Sequence, residues 1–346
     1  MRILCIDCEG PITLNDNAFE ICKNFLPEGE NFFKVISSFD DYLADVVKKK
    51  NYVAGTTLKL LTPFLKAMGL TNKKIKEYSK RSIRFVPGAK EMMEALKSQM
   101  KVFIVSTSYT PYIQALCEII DFPLKNTFST SLDLDEDNLS RDERKTMIDL
   151  YKEIKGIFLP PPAGRKNISL EIKKKIHNLE RIFFEKIPSM DCGKIMEKVN
   201  PVGGEEKKKA VEKSLSKVKA NPEDVIYVGD SITDAEALKF VREKGGISLS
   251  FNGNIYALRE AEFACISLHS FPLFLIIKEF NEKGGGIVSE IASTWPYSLK
   301  EEREKVNHLA PESIFAKIRE DNFSLLAEKS EKTRKKLRGE IIGTLG

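Results

Sequence analysis

The chain has 346 residues, 42% of them hydrophobic and 30% charged, with 55 basic and 50 acidic side chains and a formal net charge of +5. That length allows two domains or one domain with large insertions, and so slight a positive excess leaves no electrostatic footprint for nucleic acid. The longest late apolar run, Phe271 to Ile277, falls far short of the roughly 20 residues that span a bilayer.

Ahead of Asp7 there is one basic residue and a short apolar run, which is not the pattern of a secretory signal. The six cysteines, Cys5, Cys8, Cys22, Cys117, Cys192 and Cys265, are scattered, which predicts reduced thiols and a cytoplasmic location. Cys5 and Cys8 form a C-x-x-C string, but redox pairs of that kind open a helix, whereas Cys5 falls in a predicted strand. A zinc site needs more ligands than such a pair offers.

In chain order, Ile3 to Asp7 reads as a strand closed by the turn Glu9-Gly10-Pro11. From about 15 to 83 the apolar residues recur at spacings of three and four: Phe19, Cys22 and Phe25, then Phe32, Val35, Ile36, Phe39 and Leu43. Leu58, Leu61, Phe64, Leu65 and Met68 give a further face ended by Gly69. This block reads as a helical cap inserted after the first strand, whose Phe32, Phe33, Tyr42 and Tyr52 line a substrate or fill the cap's own core.

Val86-Pro87-Gly88 leads into a helix with Met92, Met93, Leu96 and Met100 inward, and the strand Val102 to Val105 follows at once. A helix feeding such a strand is half of a βαβ unit, so a parallel sheet is expected. The next helix starts at Thr110-Pro111. Between 133 and 199 helices are expected over 141–154 and 170–187, parted by Pro160-Pro161-Pro162-Ala163-Gly164, a surface loop or a rigid elbow. Strands return at Val225 to Val228, Ile247 to Phe251 and Phe263 to Ile266. The organisation expected is a three-layer α/β Rossmann-like core over 1–14, 84–132 and 200–268, a cap over 15–83, a second helical insertion over 133–199, and a helical extension over 269–346.

Several strand ends carry groups suited to phosphate chemistry, and ligands of open α/β sheets sit beyond the carboxyl ends of strands. Asp7 can attack phosphorus, and Glu9, two residues on, can pass a proton to and from the reacting oxygens; a turn or helix cap is the plainer use of such a pair. Ser106 and Thr107 can grip phosphate oxygens or cap the helix at Thr110. Gly229-Asp230-Ser231-Ile232-Thr233-Asp234 puts two acids four apart, suited to Mg²⁺ with Asp230 direct and Asp234 through water. Within Lys207-Lys208-Lys209, Lys207 is the residue expected to offset charge on nucleophile and phosphate, because a lysine in a helix's first turn opposes the helix dipole. Lys208 is the alternative.

In this order, Asp7-x-Glu9, Ser106, Lys207 and Gly229-Asp230-x-x-x-Asp234 resemble the four motifs of the haloacid-dehalogenase-like (HAD) hydrolases. Phe85-Val86-Pro87-Gly88-Ala89 is similar to the stretch before the second motif, and Phe251-Asn252-Gly253-Asn254 with Ala257 to a loop of the sugar-phosphatase branch. The resemblance implies Asp7 as nucleophile, Glu9 as general acid/base, Ser106, Thr107 and Lys207 on phosphate, and Mg²⁺ held by Asp7, Asp230, Asp234 and the main-chain carbonyl at Glu9. Two positions depart from it: Glu9 stands where Asp is usual, and Pro11 where Thr or Val is usual. Together with Ala54-Gly55-Thr56-Thr57-Leu58-Lys59-Leu60-Leu61 and Ser106-Thr107-Ser108-Tyr109-Thr110, the first motif also resembles a group of archaeal HAD-like proteins, some named subunit R of the energy-converting hydrogenase A.

Two functions follow as expectations. The first is a Mg²⁺-dependent phosphatase acting on a small phosphorylated metabolite, with no nucleic-acid partner and no membrane span. The alternative is a non-catalytic or weakly catalytic subunit or assembly factor of a hydrogenase complex. Carbon–halogen hydrolysis would leave the Mg²⁺-ligand residues idle.

Overall fold

The computed structural model describes residues 1–50, 52, 55–135, 139–162 and 168–343. The chain begins with β1 (Ile3–Ile6) and four helices, α1 (Asn17–Phe25), α2 (Gly29–Asp41), α3 (Thr57–Ala67) and α4 (Asn72–Ser82). The sheet resumes through α5 (Ala89–Gln99), β2 (Lys101–Tyr109), α6 (Thr110–Ile119) and β3 (Thr127–Thr130). A second helical stretch holds α7 (Arg141–Lys155), α8 (Leu170–Arg181) and α9 (Asp191–Lys198). Next come α10 (Glu205–Val218), β4 (Val225–Gly229), α11 (Ala235–Glu243), β5 (Ile247–Phe251), α12 (Ile255–Glu260) and β6 (Phe263–Ile266). The remainder is α13 (Phe271–Lys283), α14 (Gly285–Thr294), α15 (Arg303–Leu309), β7 (Ile314–Lys317), α16 (Phe323–Arg338) and α17 (Glu340–Gly343).

The strands form one sheet in the order β3-β2-β1-β4-β5-β6-β7. The first six run parallel, and β7 pairs antiparallel with β6. Side chains alternate faces along a strand, so Ile3 and Cys5 pack on one side with Val211 and Leu238 from α10 and α11. Leu4 and Ile6 pack on the other with Met93, Ile113 and Ile276 from α5, α6 and α13. The result is a three-layer, doubly wound α/β core. The sheet grows in opposite directions from β1, through β2 on one side and β4 on the other, which opens a crevice beyond their carboxyl ends. Register aims the crevice: Ile6 lies opposite both Ile104 and Val228, and the Asp7 amide donates to the Val228 carbonyl at 2.9 Å. The ends of β1, β2 and β4 therefore open at one level.

The two helical stretches that the sequence separates share one apolar cluster. Phe39 of α2 stacks on Phe183 with ring centroids 5.7 Å apart, and Phe32 meets Tyr151 of α7 at 4.5 Å. Burying both amphipathic sets against each other removes the apolar faces that each would otherwise expose. The helix expected over 170–187 is regular only to Arg181 and continues as a wide π turn over Ile182–Lys186. Pro160 to Pro162 adopt no regular structure; Ala163 and Gly164 of the expected elbow, and Ala54, lie outside the described residues.

Two strands escape the sequence reading. The edge strand β3 carries Thr and Ser among few apolar residues. The other, β7, lies in the stretch expected to be helical beyond Ser270, and its Phe315 packs on Phe263 with centroids 5.6 Å apart. Four residues on a sheet edge bury too little to stand out from charged helices on either side.

Candidate active site

Asp7 follows β1 directly and is buried. One of its carboxylate oxygens accepts from the Cys8 amide at 2.6 Å, and the other from the Lys207 ammonium at 2.6 Å. Burial, opposed by Lys207 and reinforced by Asp234 and Asp230, pushes Asp7 up to about 8. The next turn is tight. Gly10 has φ +102°, and a Cβ there would lie 2.3 Å from Cγ of Asp230, so only glycine lets this loop lie against β4's end. Pro11 sits within that turn, which the Gly10 amide closes onto the Thr13 carbonyl at 2.8 Å.

Lys207 is at the third position of α10 and has no solvent exposure. Its ammonium bridges Asp7 and, at 2.7 Å, Asp234. Burial alone would draw it down, but the two carboxylates outweigh that and hold it above its ordinary value. Lys208 and Lys209 instead pair with Glu205 and Glu206 on the helix surface.

Asp234 is saturated. One oxygen takes Lys207 and, at 2.6 Å, the Tyr227 hydroxyl; the other takes the amides of Asp230 and Ser231 at 3.1 and 3.0 Å, with the Ser231 hydroxyl at 3.2 Å. Burial pushes Asp234 up, yet Lys207 and these donors bring it below its ordinary value. Its part is to lock the β4–α11 turn and hold Lys207.

Asp230 is held from the other end of the chain. Arg334 and Arg338 of α16, both buried, bond to the same Asp230 oxygen; the Arg338 contact is 3.3 Å. Burial lowers Arg334, with Asp230 opposing.

Glu9 sits at the cleft with its carboxylate turned to α1, where it accepts from the Asn17 amide at 2.6 Å. Burial and the neighbouring Asp16 carry Glu9 well above its ordinary value, against Arg338 and the Asn17 bond. That shift favours the protonated carboxyl, burial being its main cause. On β2, strand structure runs on to Tyr109, with a register shift between Val105 and Tyr109. The Ser106 hydroxyl accepts from the Ser108 amide at 3.1 Å. Thr107 lines the cleft and donates to the Val202 carbonyl at 3.0 Å.

The structure thus gathers Asp7, Lys207, Asp230 and Asp234 into one buried group, with Glu9 and Thr107 at the cleft and Ser106 just behind it. It adds residues that sequence reasoning missed. Ser108 lines the cleft with a buried hydroxyl that has no hydrogen-bond partner among the described residues. Tyr227, Arg334 and Arg338 complete the ion-pair network. A trace of the arginines is present in sequence: Leu326, Ser330, Arg334 and Arg338 recur every four residues and form the buried stripe of α16. Of the four aromatics expected at the substrate or in the cap, Phe33 lines the cleft beside Ser37 and Leu58. Phe32 and Tyr42 lie in the helical core, with Tyr52 packed against it.

One carboxylate oxygen from each of Asp7, Asp230 and Asp234 lies within 4.8 Å of the other two. Hard oxygen donors at this spacing fit a small divalent cation such as Mg²⁺, which takes few carboxylates. The Glu9 carboxylate is not in that cluster, so a contribution from this position would come from its main chain. Among the described residues no helix is long and apolar enough to cross a membrane, and all six cysteines are buried and unpaired.

No family model matches the chain, and no curated protein does. Among solved structures it is similar to gene product AF1437 from Archaeoglobus fulgidus, at 30% identity over 100% of this chain and 99% of that one, with a TM-score of 0.79. Two weaker likenesses are a substrate-bound phosphoserine phosphatase complex, at 16% identity over 76% of this chain and 91% of that one, TM-score 0.47, and a HAD family hydrolase from Salmonella enterica serovar Typhi, at 14% over 73% and 63%, TM-score 0.45. Likeness at that level carries no argument about this chain.

Proposed function

The chain belongs to the family of the Archaeoglobus fulgidus gene product, and we propose that it is a HAD-type phosphoric monoester hydrolase, Mg²⁺-dependent, acting on a small phosphorylated metabolite in the cytoplasm. The observation that carries this reading is the pairing of Asp7 with Lys207 at the end of β1, beneath a cleft lined by Glu9, Thr107 and Ser108. Membership of the superfamily rests on the motif resemblance, and the compartment on the unpaired thiols.

In this reading an Asp7 oxygen attacks phosphorus, and the phosphorus–oxygen bond to the leaving alcohol breaks as Glu9 gives that oxygen its proton. The Glu9 carboxylate so formed then takes a proton from water, whose oxygen attacks the same phosphorus. The bond to Asp7 breaks, inorganic phosphate leaves, and Asp7 returns as carboxylate. Lys207 orients the nucleophile and draws it toward its charged form against burial, and the hydroxyls of Thr107 and Ser108, with Ser106 behind, receive the phosphoryl oxygens. Asp7 and Asp230 would hold the cation, with Asp234 behind them; bound, it would offset charge on the phosphoryl group. Phe33, Ser37 and Leu58 cover the cleft from the helical side, limiting water and shaping the choice of substrate.

Phosphate release from p-nitrophenyl phosphate, with and without Mg²⁺, tests the reading. Turnover that needs the metal and falls to background in Asp7→Asn is expected. Turnover that survives Asp7→Asn would sink the Asp7 mechanism.

One observation favours a second reading, a weakly catalytic or non-catalytic subunit or assembly factor of an energy-converting hydrogenase. Asp230 already has cationic partners within the chain, and a scaffold without turnover needs no other. Co-purification of hydrogenase subunits with the tagged chain, together with absent turnover, is what that reading expects.

A further inference from the structure

Helix α16 spans two parts of the molecule. Its first half is anchored on the sheet edge, where Leu326 packs with Leu258, Ala264 and Ile266 and the Ser330 hydroxyl donates to the Gly253 carbonyl at 2.7 Å. Its second half is tied down mainly through two guanidinium groups. Arg334 donates to the Asp230 carboxylate, to the Asp230 carbonyl at 3.2 Å and to the Gly343 carbonyl at 3.1 Å. Arg338 donates to Asp230 at 3.3 Å, to the Leu14 carbonyl at 3.2 Å and to the Asn15 carbonyl at 2.6 Å. Beyond the Gly339 turn, Ile342 of α17 is buried in the helical cluster. The strap thus runs from sheet edge to helical unit, and its Arg334 and Arg338 line the cleft beside the acid group.

Opposite charges are interleaved. Lys207 joins Asp7 to Asp234, and Arg334 and Arg338 meet at Asp230, all buried, with Glu9 and Asp16 lining the same cleft. A buried carboxylate needs a partner, and for Asp230 the chain itself supplies two. A divalent ion approaching Asp230 would meet two guanidinium groups within hydrogen-bond reach of that carboxylate, and like charges at such separations repel strongly where water is scarce.

We propose that α16 is an internal counter-ion in competition with a divalent cation for Asp230, so that metal binds only as Arg334 and Arg338 let go and the second half of α16 loosens with α17. The inference rests on the reading of Asp7 and Asp230 as metal ligands and goes beyond it by making the C-terminal helix the gate to the site. The strap balances Asp230 where no metal does; the metal releases it.

The test uses the full chain and Mn²⁺ as probe. Mn²⁺ affinity is measured by calorimetry for wild type and for the neutral double variant Arg334→Gln, Arg338→Gln. Hydrogen exchange over 331–343 is followed in wild type with and without saturating Mn²⁺. The double variant is expected to bind at least about tenfold tighter, one factor of ten being a modest effect for two neighbouring charges, and exchange over 331–343 is expected to rise with metal while 323–330 stays protected. A double variant that binds more weakly than wild type, or unchanged exchange in metal-saturated wild type, would overturn the proposal, as would no Mn²⁺ binding by either protein. If the double variant does not fold, the wild-type exchange decides alone. Phosphate release that depends on Asp7 but survives a failed exchange test leaves hydrolysis standing without the gate.

Discussion

The site has two halves that solve one problem differently. In the core half, Asp7, Lys207 and Asp234 come from β1, α10 and the turn after β4, and every charge is met by a group the sheet's register brings alongside. In the C-terminal half, Asp230, next to β4 itself, is met by guanidinium groups from a helix 104 and 108 residues away along the chain. Neighbouring acids of one short motif thus sit in opposite situations. Asp234 is fixed by the fold that makes the sheet; Asp230 depends on a later segment docking. The first arrangement is structural wherever the core exists, and the second can be withdrawn.

Lys207→Met should break the core half most severely. It leaves Asp7 and Asp234 buried without their cation, and removing one partner of a buried pair typically costs about 3–5 kcal/mol. Urea unfolding should register that loss, with Lys208→Met beside it leaving the midpoint close to wild type because its pair is on the surface. A Lys207→Met loss near the Lys208→Met value would mean that the core half is not held by its charges.

The same contrast explains what could be read in advance. Apolar strands ending in Asp7 and Asp230, and Lys207 in the first turn of a helix, are short-range signals, and their positions in a parallel sheet follow from topology. Hence the core strands, the crevice and the convergence of Asp7, Lys207, Asp230 and Asp234 were legible. Arg334 and Arg338 were hidden inside a run of lysines and arginines on a helix whose docking depends on contacts with Gly253, Leu14 and Asn15. Their four-residue spacing was visible, but charge alone reads as solvent-facing. β7 was lost for a related reason: an edge strand of four residues takes its identity from β6. Ser108 was passed over because three hydroxyl residues in a row do not say which one faces the cleft.

A pH comparison sharpens the core half. Asp7 titrates near 8 in the folded protein, against about 3.9 for an unfolded aspartate. Between those values the folded state binds the extra proton, so stability falls as pH rises. Glu9 and Asp16 shift in the same direction and remain in Asp7→Asn, so their burial cancels between the two proteins and the difference reports Asp7 with its coupling to Glu9 and Lys207. With chelator present, the urea midpoint of Asp7→Asn should gain on wild type from pH 5 to pH 8. A gap that stays flat or narrows would show that Lys207 holds Asp7 ionised throughout.

Tyr227→Phe is the smallest change and asks whether the halves are independent. The hydroxyl is one donor among several on Asp234, so its loss should cost about 1.5 kcal/mol, the low end for a hydrogen bond to a charged group. Phe fills the same space between β4 and α10, and no backbone group changes partner. Asp230 makes no contact with the Tyr227 hydroxyl; what links them is the Asp230 amide bonded to Asp234. If that amide is held by the β4–α11 turn and not by the tyrosine, Mn²⁺ affinity should stay within about twofold of wild type. A tenfold change in Mn²⁺ affinity from this one hydroxyl would mean that Asp234 transmits strain to Asp230. The two halves would then be a single network, and α16 could not let go of one without disturbing the other.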